Sequence, residues 1–168
     1  TNAAIFATTN GGTTWSATAL PPGLGGPGGF VAQTLGCAAP HALWDLVSFG
    51  GYAGGVGYAL YRSADSGAHW RVVAQNMALP NIPSAHGPGT QAQALAVTSA
   101  TAAHLTGACG PCGGMGTTAV GGTTDGGRTW RNQDVPGLPF ATTALSFPTA
   151  QAGWLVAQWF AGPAQRKS

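Results

Sequence analysis

The chain has 168 residues, enough for one domain, with 28 Gly, 12 Pro, no Glu and a single Lys. The residues that usually clothe exposed helix faces are nearly missing, so composition points to an all-β protein of many short strands joined by tight turns. A net charge of +2 with scattered arginines excludes a polybasic nucleic-acid binder, and a hydrophobic fraction of 44% with six Trp excludes wholesale disorder.

Taken in chain order, the first strand-like run is "AAIF" at 3–6, followed by the turn "ATTNGGTTW" at 7–15 and a return strand "WSATAL". The start at Thr1 carries no signal peptide, which fits a mature secreted piece or a fragment. A proline and glycine loop, "PPGLGGPGG" (21–29), leads into "FVAQTLGCAAPHALWDLVSF" (30–49), which reads as strand, short turn, strand. After "GGYAGGVGY" comes a third strand, "YALY" (58–61), the turn "SADSGAHW" (63–70) and the strand "WRVVAQ". A long uncharged loop (76–93) precedes the next strand, turn, strand, "ALAVTSATAAHLTGAC" (94–109). Beyond "CGPCGGMG" the pattern repeats as "TAV" (118–120), "GGTTDGGRTW" (121–130) and "WRNQDV". A last pair, "TALSFPTAQAGWLVAQ" (143–158), precedes a polar tail at 163–168. The longest apolar candidate, "GWLVAQWFAG" (153–162), falls short of the roughly 18–20 residues needed to cross a bilayer, so no membrane span is expected.

The three turns are copies of one unit. With Trp15, Trp70 and Trp130 superposed, at intervals of 55 and 60 residues, Asn10, Asp65 and Asp125 fall into register. Gly12, Gly67 and Gly127 do so as well, as do Thr8, Ser63 and Thr123. Glycine supplies positive φ, the Asp or Asn oxygen accepts backbone N–H groups just downstream, and the Thr or Ser hydroxyl adds a further bond. The Trp then starts the return strand and packs over the turn. In the pairs between the turns, His104 aligns with Trp154, and Leu43 falls at that point in the first copy. The period holds four strands, A and B before C, then the turn and D.

The pattern S/T-x-D-x-G-x-T-W resembles the Asp-box, or bacterial neuraminidase repeat. "TTDGGRTW" carries it in full, "SADSGAHW" has His69 at the Thr position, and "TTNGGTTW" has Asn10 for Asp. With "AGWLVA" (152–157), the chain is similar at blade level to photosystem II assembly-factor-like, sortilin-type and sialidase-type propellers. The resemblance implies four-stranded β-propeller blades, with the Asp-box as a structural turn away from the ligand face. Strands C and D of one blade would occupy 1–20, whole blades 30–75 and 94–135, and strands A and B 141–160, all within a partial propeller spanning 1–162. About three blades' worth leaves the ring incomplete. The chain is then a piece of a longer propeller, two or more copies forming one ring, or an open stack, and the first is preferred.

Cys109 and Cys112 form "CGPC", but the glycine-rich stretch that follows cannot be the helix a redox pair needs, so they are a candidate disulfide clamping the B–C loop. Cys37 falls in the A–B turn, at the other end of a blade, and is expected to be unpaired within this chain. A zinc site from His104, Cys109 and Cys112, with Cys37 and His41 at a distance, is outweighed by His104 as a packed strand residue. No cofactor motif is present and no metal site is expected. Sialidase chemistry, as the family implies it, uses an arginine triad, a tyrosine with an adjacent glutamate, and an aspartate. This chain has no Glu, and Asp65 and Asp125 are committed to turns, so the catalytic groups of such an enzyme would lie elsewhere.

The D–A and B–C loops share the face where propellers bind, and here they are uncharged and rich in Pro and Gly. Tyr52, Met77, His86, Met115 and Phe140 are the candidate contact residues. The expected function is a non-catalytic, extracytoplasmic scaffold for a protein partner or for the missing blades of the same propeller. The alternative is part of a glycan-binding or sialidase-like propeller that takes a polysaccharide.

Overall fold

The computed structural model describes residues 4–24, 30–52, 55–75, 91–108, 117–139 and 142–157. These residues are all-β. The strands are β1 (Ile5–Ala7), β2 (Ser16–Thr18), β3 (Phe30–Ala39), β4 (Ala42–Tyr52), β5 (Gly55–Ser63) and β6 (Arg71–Gln75). They continue with β7 (Gln91–Val97), β8 (Ala103–Ala108), β9 (Thr117–Thr123), β10 (Arg131–Pro139), β11 (Thr142–Ser146) and β12 (Trp154–Ala157). Among the described residues no helix is long and apolar enough to cross a membrane.

Among the described residues four sheets follow one another in chain order, and none closes on itself. A first hairpin pairs β1 with β2, two four-stranded sheets run β3-β4-β5-β6 and β7-β8-β9-β10, and a last hairpin pairs β11 with β12. Every pairing is antiparallel between sequence neighbours. Such meanders form locally, since each strand finds its partner across one turn.

The second sheet is buried on both faces, which its near-continuous apolar strands "ALWDLV" and "YALY" require. One face contributes Trp44, Leu46, Tyr58 and Leu60 to a core completed by Ala103 and Leu105 of the third sheet, with Leu95, Val97 and Trp130 packed against it. The other face puts Val47, Ala59 and Tyr61 against Leu24, which lies beyond the first hairpin, with Trp70 and Val72 alongside. The Tyr61 hydroxyl donates to the Pro22 carbonyl at 2.9 Å, so its polar tip is satisfied inside that layer.

Two sequence expectations shift. Cys37, expected in the A–B turn, lies within β3 opposite Leu43, and its side chain is exposed; the turn itself is Pro40 and His41. The strand position shared by His104 and Trp154 is filled in the second sheet by Trp44 rather than Leu43. Trp44 pairs with Arg62 just as His104 pairs with Gly122, one residue before the aligned Ser63 and Thr123. The cause is turn length: β3 and β4 close over two residues, whereas β7 and β8 close over the longer 98–102 turn.

Candidate functional site

Among the described residues the repeated turn carries a dense set of side-chain hydrogen bonds. At 123–130, the Thr123 hydroxyl donates to Asp125 Oδ1 at 2.9 Å and accepts the Gly127 N–H at 2.9 Å. Asp125 Oδ1 also accepts the N–H groups of Arg128 and Thr129, both at 3.0 Å, and Oδ2 accepts the Thr129 hydroxyl at 2.5 Å. At 63–70, Ser63 Oγ donates to Asp65 Oδ1 at 2.8 Å and accepts the Gly67 N–H at 2.9 Å. Asp65 accepts the His69 N–H at 2.9 Å, and His69 Nδ1 meets Oδ2 at 2.6 Å.

At 8–15 the same frame is held by an amide. Asn10 Oδ1 accepts the Thr8 hydroxyl at 2.9 Å and the Thr14 N–H at 3.0 Å, while Asn10 Nδ2 donates to Thr14 Oγ1 at 2.8 Å. A threonine hydroxyl can donate to a carboxylate or accept from an amide. That reversal at Thr14 and Thr129 lets Asn and Asp serve one turn. Gly12, Gly67 and Gly127 hold φ of 90°, 87° and 84°, the left-handed region that favours glycine.

These bonds fix the charge state of the two carboxylates. The His69 backbone N–H, then its ring and the Ser63 hydroxyl, draw Asp65 down to about 2. The Thr129 hydroxyl and backbone N–H hold Asp125 lower still. Both groups are ionised near neutrality and held by local donors, which leaves them unfit to move a proton there.

Two of the three tryptophans reach past their own turns to the element before them. Trp130 Nε1 donates to the Val73 carbonyl in the preceding sheet at 3.2 Å, and Trp70 Nε1 donates to the Ala19 carbonyl beside the first hairpin at 2.9 Å. Trp15 instead donates to Gly12 of its own turn at 3.0 Å and stays 60% exposed. Arginines add to the tie. Arg62 Nε donates to Ala100 O at 3.0 Å and Arg71 Nη2 to Gly126 O at 2.6 Å, both reaching from the second sheet into the third. Arg62 also lies over the Trp44 ring, 5.6 Å from its centroid. From spacing alone these arginines read only as scattered surface charge.

A cleft of about 490 Å³ opens between β9 and β10 on one side and the β11–β12 turn on the other. Arg131, Asn132, Gln133 and Gln151 line it, and the stacked rings of His104 and Phe147 stand at its inner end, 3.7 Å apart and 6° from parallel. His104 is buried, and burial holds its imidazole below the usual range, opposed by a hydrogen bond to the Ala150 backbone. It is a packed strand residue, as its register implies.

Of the candidate contact residues, Met77, His86, Met115 and Phe140 lie outside the described residues, as do Cys109 and Cys112. Tyr52 ends β4, its backbone opposite Gly55. Among the described residues, no group of three or more His, Cys, Asp or Glu could hold a metal ion. Asp45 and Asp134 are the two carboxylates outside the repeated turns, and Asp45 has a defined place. It is fully buried in β4, its Oδ2 accepting from Gln33 Nε2 at 2.5 Å, and burial raises its pKa to about 6.

No protein-family model, no curated protein and no solved structure matches this chain.

Proposed function

We propose that this chain is a non-catalytic scaffold of Asp-box β-propeller blades that presents uncharged loops to a protein partner outside the cytoplasm. The observation that carries it is the inter-sheet tie. A tryptophan at the same place in successive turns donates to backbone before it, at Ala19 just past the first hairpin and at Val73 in the second sheet. A unit that fastens itself to its predecessor is the building principle of a repeat array, in which each sheet buries its faces only against its neighbours.

The chemistry of the carboxylates supports binding over catalysis. Asp65 and Asp125 are saturated within turns, and Asp45 is sealed in the core. What the array offers a partner is a rigid base for the proline-rich and glycine-rich loops, and low charge suits contact by shape.

The test pairs two assays on the 168-residue chain. A photo-crosslinking residue placed at His86 is expected to yield a discrete protein adduct in extracts of the native source, while a fluorogenic sialoside is not turned over and a glycan array gives no signal. Sialoside turnover, or saturable glycan binding without a protein adduct, contradicts the scaffold and favours the glycan-active alternative.

A further inference from the structure

The arginines are scattered along the sequence, yet Arg62, Arg71 and Arg128 meet where the second sheet packs on the third. Arg62 on β5 and Arg71 on β6 are direct cross-strand partners. Both guanidinium groups lie against Gly126 in the repeated turn of the third sheet. An added Cβ there would stand 3.3 Å from Arg71 Nη2 and 3.5 Å from Arg62 Cζ. Arg128 follows two residues later in the same turn, with its side chain exposed. Burial, and after it the charges of Arg71 and Arg128, hold the Arg62 guanidinium below its usual range, so the three cations feel one another.

Like charges directly opposed across a strand pair destabilise it, and here no carboxylate offsets them. Asp65 and Asp125, the acids of the adjoining turns, are bonded to donors within those turns. Among the described residues Asp65 pairs with His69, and no carboxylate pairs with Arg62, Arg71 or Arg128. The tie between the sheets uses one N–H of Arg62, to the Ala100 carbonyl, and one of Arg71, to the Gly126 carbonyl. The Arg128 guanidinium and the remaining N–H groups of the other two have no acceptor among the described residues.

The frame that carries these groups is fixed. Gly126 N–H donates to the Thr101 carbonyl at 2.8 Å, Asp125 and Thr123 close the turn, and Arg62 lies over the Trp44 ring. Donors held in place before a ligand arrives cost little ordering when it binds. Each guanidinium fork matches a pair of oxygens on an oxyanion. A carboxylate has too few oxygens and too little charge for three forks, whereas a phosphate or sulfate group has enough of both.

We propose that Arg62, Arg71 and Arg128 form a binding site for a doubly charged tetrahedral oxyanion: phosphate or sulfate, or a phosphate monoester on a larger molecule. The site lies at the end of the sheets that carries the repeated turns, and none of the three arginines lines the cleft. It draws only on the second and third sheets and stands apart from the scaffold reading.

The experiment is an NMR titration of the isotope-labelled 168-residue chain at neutral pH, with ionic strength held constant by sodium chloride. Sodium sulfate, sodium phosphate, phenyl phosphate and sodium acetate are the probes. Sulfate and phosphate are expected to shift the Gly126 and Arg128 backbone amides saturably, at one site, and acetate to bind at least about tenfold more weakly. Phenyl phosphate tighter than free phosphate supports an ester on a larger molecule, and free phosphate as tight or tighter supports the inorganic ion. Arg128→Gln is expected to weaken sulfate binding at least about tenfold, while Arg131→Gln, at the cleft, binds as the parent does. If Arg128→Gln loses its β-sheet circular dichroism, Arg71→Lys, which keeps the charge and loses the fork, replaces it with the same loss expected. A parent that does not saturate overturns the proposal, as does acetate binding as tightly as sulfate. Arg128→Gln binding as the parent does, or Arg131→Gln losing as much as Arg128→Gln, overturns it too.

Discussion

The indole nitrogen of Trp130 donates to the main-chain carbonyl of Val73 at 3.2 Å, binding the third sheet to the second across 57 residues of chain. Trp130→Phe keeps the ring and removes the donor, so it is expected to cost about 0.5–1.5 kcal/mol, while Trp130→Ala removes packing as well and costs roughly 3 kcal/mol. Trp15, whose indole returns to its own turn, is expected to cost less than either when changed to Phe. Urea unfolding of the three variants measures the ranking.

Gly127 separates backbone strain from inter-sheet contact. Its φ of 84° disfavours any side chain, and an added Cβ would stand 2.5 Å from the Val73 Cβ. At Gly12 the φ is 90°, but the nearest atom, on Trp15, is 3.7 Å away. Gly12→Ala is therefore expected to cost about 1–2 kcal/mol of strain, and Gly127→Ala to add roughly 1–3 kcal/mol of overpacking. Thermal unfolding of both variants, converted at a common temperature, checks the difference.

The hydroxyl reversal between Thr14 and Thr129 predicts which changes the turn tolerates. Asp125→Asn is expected to stay folded, with the Thr129 hydroxyl turning from donor to acceptor as Thr14 does for Asn10. Asp125→Ala leaves the N–H groups of Arg128 and Thr129 without their acceptor and is expected to unfold at lower temperature. The depressed Asp65 and Asp125 are stabilising above the unfolded-state value of 3.8, and that contribution is lost as pH falls toward about 2 at Asp65 and lower at Asp125. Asp125→Asn should flatten this acid limb in melting curves taken across that window.

Asp45 has the opposite sign. Its folded pKa is raised from 3.8 to about 6, so the native state holds a proton that the unfolded state has released between those values. Its favourable contribution is present below 3.8 and is lost as pH rises through about 6, at a cost on the order of 3 kcal/mol. Burial is the larger cause, and the hydrogen bond from Gln33 on β3 opposes it. Asp45→Asn is expected to leave stability near pH 4 almost unchanged and to raise it at neutral pH. The difference between variant and parent melting curves isolates this from other titrations, and a variant less stable at neutral pH contradicts the assignment.

The repeated turn was legible in the sequence because its physics is local. Thr123, Asp125 and Gly127 bond within five residues, so spacing alone carries the geometry. The sheet order followed from that, since antiparallel neighbours need only short connections. The strand register did not, because turns of unequal length displaced Leu43 into the place of Trp44. Counting back from the turn would have found it, since Trp44 precedes Ser63, and His104 precedes Thr123, by the same 19 residues. The roles of Asp45, Arg62 and Arg71 were hidden for another reason. Whether a charged strand residue faces solvent or a neighbouring sheet depends on what stacks on it, which no local pattern encodes.

Successive elements are fastened through Trp70 and Trp130, and hydrogen exchange of the Trp130 indole N–H, followed by NMR, reads that fastening. Exchange is expected to be much slower than that of free indole in the parent and faster in Gly127→Ala, where the turn is pushed off Val73. Exchange at the free-indole rate in the folded parent would contradict it.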